Sequence, residues 1–264
     1  MSAASDILVS ADQDEIASRE RSQSSRDPQT GGAFAATTTR DSWAQETVSS
    51  QPLSARTSAW NPESFAQQQI LSLVQRVFFP GWPRASRQVV FSSVDGYADS
   101  GSICARVSIT MSERVPGTVC VIEADRNGMS LQRALESTGR PETYPGGKGI
   151  RVGHRVRENL WLLRVDELLE TQTFSLVGVR SRLSELRRQF DYTVIHAPAV
   201  GTCSETGFLG QIADGVILVV DERNTRRAIA REAKQILIAA NARLLGVVIN
   251  DRQFPIPETI YRKL

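Results

Sequence analysis

The 264-residue sequence contains three cysteines and two histidines, and both shortages exclude chemistry. Cys104, Cys120 and Cys203 are too few and too scattered for a disulfide framework or a cysteine-rich zinc site. His154 and His196 cannot assemble a zinc centre either. Such a centre takes three or four ligands, and no His-x-x-x-His or cysteine pair supplies the rest. There is no apolar run of about 18 residues, so no membrane-spanning helix is predicted. The N-terminus shows no basic segment followed by an apolar core, so no secretory signal is expected. An excess of one charge is also lacking: 31 basic and 29 acidic residues leave +2, which makes no electrostatic case for nucleic acid. A reduced, cytoplasmic setting fits these numbers.

Residues 1–60 lack apolar residues. Eighteen are Ser or Thr and only seven are Leu, Ile, Val or Phe. Such a stretch cannot bury enough apolar surface to offset its ordering entropy, so it is read as a disordered N-terminal segment. Ile7-Leu8-Val9 is its one candidate docking peptide, and the reading adopted is a loose tail. Residues 61–264 are read as a single α/β domain opened by a helix. Asn61 caps that helix, Pro62 begins it, and Ile70, Leu73, Val74 and Val77 give it an apolar stripe that packs on the main domain or on a neighbouring subunit.

From Gln88 the pattern alternates. Short apolar runs without polar alternation occur at Gln88 to Ser93, Thr118 to Glu123, Leu160 to Val165, Tyr192 to His196, Gly215 to Val220 and Leu244 to Asn250. Helical patterns stand between them at Gly101 to Arg114, Leu131 to Leu135, Leu176 to Phe190, Glu205 to Ala213 and Thr225 to Ala240. Buried strands joined by helices imply a mostly parallel, doubly wound sheet covered on both faces. Arg140 to Arg157 is read as loop-rich. Its Pro145-Gly146-Gly147-Lys148-Gly149 is not a phosphate loop, because Glu142 stands where the first glycine belongs and no apolar strand leads in.

Ligands of such sheets bind beyond the C-terminal strand ends. Three ends carry polar residues: Ser92-Ser93 and the loop Val94 to Ser100, then Glu123-Ala124-Asp125, then His196-Ala197-Pro198. The first has the strand–loop–helix layout of a phosphate-binding loop. A working loop reads G-x-x-x-x-G-K-[ST]: its backbone N–H groups and helix N-terminus attract phosphate, its lysine adds full charge, and its hydroxyl holds Mg²⁺. Here Ser100 stands in the lysine position, and Asp95 and Asp99 put negative charge where phosphates would lie. A Cys203–His196 nucleophile has no third group to orient it, and no Gly-x-Ser-x-Gly elbow occurs. Arg223, Arg226, Arg227 and Arg231 read as a solvated helix face.

With these ends located, residues 63–264 resemble the cytoplasmic domain of bacterial tyrosine kinases of the capsular and exopolysaccharide type. These belong to the P-loop group of the ParA and MinD ATPases (the SIMIBI class). The likeness is strongest from Leu183 to Asn250, through FDYTVIHAP, ADGVILVVDERNTRRAIAREAKQIL and LLGVVIN. VCVIEADRNGMSL is similar to the family's Walker A′ strand, and ESFAQQQILSLVQRVF stands at its N-terminal helix. By the resemblance, the nucleotide positions are Ser93, Gly96, Ser100, Gly101, Ser102, Glu123, Asp125 and His196. Ser93 and Ser102 match the family's loop. Ser100 replaces its lysine, Gly101 its Mg²⁺-binding hydroxyl residue, Asp99 a glycine, Glu123 the first Walker A′ aspartate and His196 the Walker B aspartate, while Asp125 and Pro198 are kept.

The resemblance therefore implies a catalytically degenerate kinase-like protein serving as a regulatory or scaffold component of exopolysaccharide or capsule production. No catalytic residue, metal or cofactor is expected, and the ligand left open is weakly held ATP or ADP with Mg²⁺. The implied partner is a membrane chain-length regulator (a polysaccharide co-polymerase) or a kinase paralogue, with homo-oligomers left open, and it would hold the chain at the inner face of the membrane. The alternatives are an active ATP-dependent tyrosine kinase, with a lysine such as Lys148 supplied from elsewhere, and a ParA- or MinD-like positioning ATPase. The lone tail tyrosine, Tyr261, reads as packing or docking.

Overall fold

Six consecutive strands of one sheet run parallel, and their alternating side chains decide which helix lies where. The computed structural model describes residues 8–10, 62–79, 85–125, 130–135, 141–146, 149–164 and 176–251. In chain order the strands are β1 (Leu8–Ser10), β2 (Gln88–Ser93), β3 (Val119–Glu123), β4 (Pro141–Gly146), β5 (Gly149–Arg157), β6 (Leu160–Arg164), β7 (Tyr192–Ala197), β8 (Gly215–Asp221) and β9 (Leu244–Asn250). The helices are α1 (Pro62–Phe78), α2 (Ser100–Arg114), α3 (Ser130–Ala134), α4 (Leu176–Gln189), α5 (Glu205–Ile212) and α6 (Arg227–Ala239). The sheet order is β1-β9-β8-β2-β7-β3-β6-β5-β4. The pairs from β9 through β6 are all parallel, whereas β1–β9, β6–β5 and β5–β4 are antiparallel.

Each central strand is buried on both faces, which explains its non-alternating composition. Within β2, Val89 and Phe91 join one core and Val90 the other. Within β3, Val119 and Val121 oppose Cys120 and Ile122 in the same way. The first core is closed by Ile70, Leu73 and Phe78 of α1, by Ile103, Val107 and Met111 of α2, and by Leu131 of α3. The second is closed by Leu183 and Leu186 of α4, Leu209 of α5 and Leu237 of α6. Helix α1 thus packs on its own sheet, and the Phe78 ring meets Tyr192 edge-on, 6.1 Å between centroids. The doubly wound α/β fold expected from the sequence is the fold observed.

Two segments depart from expectation. Leu8–Ser10 forms an edge strand paired with β9, Leu8 opposite Ile249, where a loose tail was expected. A composition averaged over sixty residues hides a short stretch such as Leu8-Val9, and an open sheet edge supplies the hydrogen bonds that hold it. The rest of residues 1–60 lies outside the described residues. The second departure is Arg140 to Arg157, expected as loop. It forms the antiparallel hairpin β4–β5 at the other edge. Pro and Gly suggested turns, but an edge strand tolerates both. Ile150, Val152, His154 and Val156 do alternate with polar or small residues, the period-two signal of a strand. Gly147, Lys148, Asn61 and the tail from Arg252, Tyr261 included, lie outside the described residues.

Asp214 ties the N-terminal ends of β2 and β8 together. Its Oδ2 accepts from the Arg87 and Gln88 backbone N–H groups at 2.7 and 2.8 Å, and its Oδ1 accepts from Arg187. Burial pushes its carboxyl up, but the Arg187 hydrogen bond and the two N–H groups outweigh that and hold it below the usual carboxylate range. The stabilisation from this depressed group is therefore present above about pH 4 and is lost as pH falls through the folded value. Asp214→Asn is expected to lower the unfolding free energy by about 1–3 kcal/mol at neutral pH. The deficit should shrink on acidification below about pH 4, as urea unfolding at a series of pH values would show.

Candidate functional site

The parallel ladder brings the three polar strand ends side by side. In the register, His196 of β7 lies opposite Phe91 of β2 on one side and Glu123 of β3 on the other. Beyond β2 the chain turns through Gly96, whose φ of 80° favours glycine. Asp99 then caps α2. Its Oδ1 accepts from the Ser102 backbone N–H at 3.0 Å, and its Oδ2 accepts from the Ser102 hydroxyl at 2.6 Å. A side-chain carboxylate thus occupies part of the helix N-terminus that a phosphate would use.

Ser100, the first residue of α2, points its hydroxyl at His196. Ser100 Oγ lies 2.9 Å from His196 Nε2, and His196 Nδ1 lies 2.6 Å from Glu123 Oε1. Ser100 and His196 are each 4% exposed and Glu123 is 5% exposed. An ionised carboxylate can only accept, so Glu123 fixes the proton on Nδ1 and leaves Nε2 to accept from the serine hydroxyl. Glu123 Oε2 is buried with no hydrogen-bond partner. Ser100, His196 and Glu123 are therefore one hydrogen-bonded chain.

The other predicted positions have separate roles. The Ser93 carbonyl accepts from Val200 N–H at 2.9 Å, and Ser92 Oγ donates to the Pro198 carbonyl at 2.5 Å, which fastens the loop after β7 against the end of β2. Gly101 packs against α3 so closely that a Cβ would sit 2.1 Å from Ser130 Oγ. Asp125 is half-buried just past β3. Its charge is a minor influence on Cys203, whose thiol is pushed up first by burial and then by Glu205. Cys203 is not the partner of His196, since both ring nitrogens are engaged by Ser100 and Glu123.

Acidic groups crowd the same end of the sheet. Asp95 accepts from Tyr97 N–H and from the Thr225 hydroxyl, both at 3.3 Å. Asp251 has its carboxyl pushed up by burial and then by the charge of Asp221, against the opposing pull of Arg223, with Asp99 adding to the rise. Among the described residues, no group of three or more His, Cys, Asp or Glu could hold a metal ion. Sequence reasoning found the three linked positions but missed the link. The signal lay in adjacency: Glu123 and His196 each end a strand, and in this fold the two strands are neighbours.

This architecture, with a loop between the first central strand and a helix N-terminus, is a P-loop-type α/β fold. MinD from Aquifex aeolicus superposes with a TM-score of 0.50 at 18% identity, over 67% of this chain and 73% of that one. Kinase domains of bacterial tyrosine kinases share this fold. The kinase domain of Escherichia coli ETK superposes with a TM-score of 0.55 at 14% identity, covering 73% and 79% of the two chains. The chimerical protein CapA2B2 gives 0.53 at 15% identity, covering 75% and 88%. In sequence, the chain is 26% identical over 84 residues to CapB of Staphylococcus aureus, described as a candidate tyrosine-protein kinase, and 28% identical over 64 residues to the tyrosine-protein kinase YwqD of Bacillus subtilis (strain 168). These two matches span 32% and 24% of this chain and 35% and 27% of those proteins, so the chain aligns with about a third of the length of the curated relatives. No family model matches it.

Removing the imidazole would leave the Glu123 carboxylate buried and unpaired. His196→Ala is expected to cost about 3–5 kcal/mol in urea unfolding. Adding Glu123→Leu should recover a large part of that loss, because an apolar pair no longer needs a partner. Additive costs of the two substitutions would contradict a coupled pair.

Proposed function

We propose that the chain is a kinase-like P-loop protein that has lost nucleotide chemistry and acts as a regulatory or scaffold component of exopolysaccharide or capsule production. The observation that carries the reading is Ser100, a hydroxyl in the lysine position, engaged by His196 rather than offered to a ligand. Phosphoryl transfer depends on fixed positive charge around the transferred group. Losing one such contact commonly costs a few kcal/mol of barrier, and here the lysine and the Walker B carboxylate are both replaced. The acidic rim of Asp95, Asp99 and Asp221 adds repulsion toward a triphosphate. Mg²⁺-ATP does not fit this donor set.

The likeness to CapB and YwqD, both described as tyrosine-protein kinases, supports this reading. The chimera CapA2B2 supports a CapA-like membrane partner, and a kinase paralogue or a second copy of this chain would offer a comparable surface. Among the described residues no helix is long and apolar enough to cross a membrane, so attachment at the membrane would run through such a partner.

The decisive measurement is titration of a fluorescent ATP analogue with and without Mg²⁺, beside assays of ATP hydrolysis and tyrosine phosphorylation. The expected outcome is no Mg²⁺-enhanced affinity and no turnover. Robust Mg²⁺-dependent turnover that Asp125→Ala abolishes would establish an active kinase and end the degenerate reading.

A further inference from the structure

We propose that Ser100, His196 and Glu123 form a nucleophilic triad, and that Ser100 reacts with activated acyl esters at the place where nucleotide chemistry has been lost. Three features support this beyond the presence of the residue types. The first is order: carboxylate to Nδ1 at 2.6 Å, then Nε2 to hydroxyl at 2.9 Å, the sequence of contacts in which an acid orients an imidazole and the imidazole activates a serine. The second is position. Ser100 begins α2 at the C-terminal end of a parallel sheet, with small residues two before and two after it, Ala98 and Ser102. The turn is made by Gly96 at φ 80° rather than by a strained serine. The third is burial. All three residues are at least nine-tenths buried, and Glu123 Oε2 has no hydrogen-bond partner. An uncompensated buried carboxylate oxygen is costly and is characteristic of sites kept for chemistry rather than stability.

The surroundings select the electrophile. Asp95 and Asp99 disfavour anionic phosphate esters but tolerate a neutral carbonyl. The Gly101 N–H lies in the first turn of α2, where backbone donors have no intrahelical partner. It belongs to the residue after the serine, the position from which an oxyanion is held in acyl transfer. Beside the buried Ser100, Asp99 is exposed and Ser102 half-buried.

The step balances within the site and water. Ser100 Oγ bonds to the ester carbonyl carbon while its proton passes to His196 Nε2. The carbon–oxygen bond to the leaving alcohol breaks, and that alcohol departs with the proton from Nε2. Water, deprotonated by His196, then cleaves the acyl-serine to the carboxylic acid and restores the hydroxyl. Glu123 is a positioning residue: it holds the tautomer and does not itself take the proton.

The full chain would be treated with a fluorophosphonate probe, the adduct mapped by peptide mass spectrometry, and p-nitrophenyl acetate hydrolysis followed in parallel. The expected result is an adduct on Ser100 and ester turnover. Both should vanish in Ser100→Ala, which removes one hydroxyl and whose circular-dichroism spectrum should remain that of the folded chain. His196→Gln should slow labelling by about 10²–10⁴-fold. No adduct on Ser100 in a chain with a native circular-dichroism spectrum would overturn the proposal. So would labelling that heat-unfolded protein matches, or labelling unchanged in His196→Gln. Any of these outcomes would leave the trio as a structural lock.

Discussion

The parallel pairing of β7 with both β2 and β3 is the constraint from which the rest follows. One strand between two others brings three chain ends flush, although they lie at residues 93, 123 and 197 in sequence. Neighbouring strands stand about 4.8 Å apart, so a side chain at the end of the middle strand can reach both flanks. Imidazole suits that place because its two nitrogens face different directions. His196 uses one toward α2 and one toward β3, and so joins a helix N-terminus to a strand end across the sheet.

Electrostatics at this edge run opposite to those of a phosphate site. Such a site gathers N–H dipoles and a lysine around an anion. Here the first-turn N–H of Ser102 is given to Asp99, and the lysine position holds a neutral hydroxyl. Asp221 accepts the Arg223 and Asn224 N–H groups at 2.8 Å each, which consumes two more donors on the same rim. Burial pushes the Asp221 carboxyl up, and those N–H groups bring it below the usual range, so it stays ionised and adds to the negative field.

The frame was legible in the sequence because burial on both faces leaves a plain mark. Val89-Val90-Phe91 and Val119-Cys120-Val121-Ile122 have no polar interruption, and helices at regular spacing force parallel crossovers. The edges were less legible. Leu8–Ser10 and the β4–β5 hairpin are held by backbone hydrogen bonds to a neighbour, which composition does not encode. At the site, the positions were legible and the interaction was not. Ser100 and His196 were each read as a missing charge and Glu123 as a longer acid, since a motif is compared position by position. A hydrogen-bond chain belongs to none of its members singly and appears only when the strands are laid side by side.

That difference bears on what the substitutions mean. A lysine lost in isolation leaves a void or an unsatisfied neighbour. Here each replacement supplies what another requires: Glu123 an acceptor for Nδ1–H, His196 an acceptor for the Ser100 hydroxyl, and Ser100 a donor small enough to begin a helix in a buried corner. Glutamate in place of aspartate adds one methylene, a longer reach toward the neighbouring strand. Mutual dependence of this kind makes the three residues energetically non-additive. It also separates two meanings of degeneracy. The trio is poorly suited to phosphoryl transfer, because it contains no fixed positive charge. It is well ordered for moving a proton, because its one acid, one imidazole and one hydroxyl are linked in sequence within a buried site. Poor fitness for the first chemistry therefore does not by itself make the site inert.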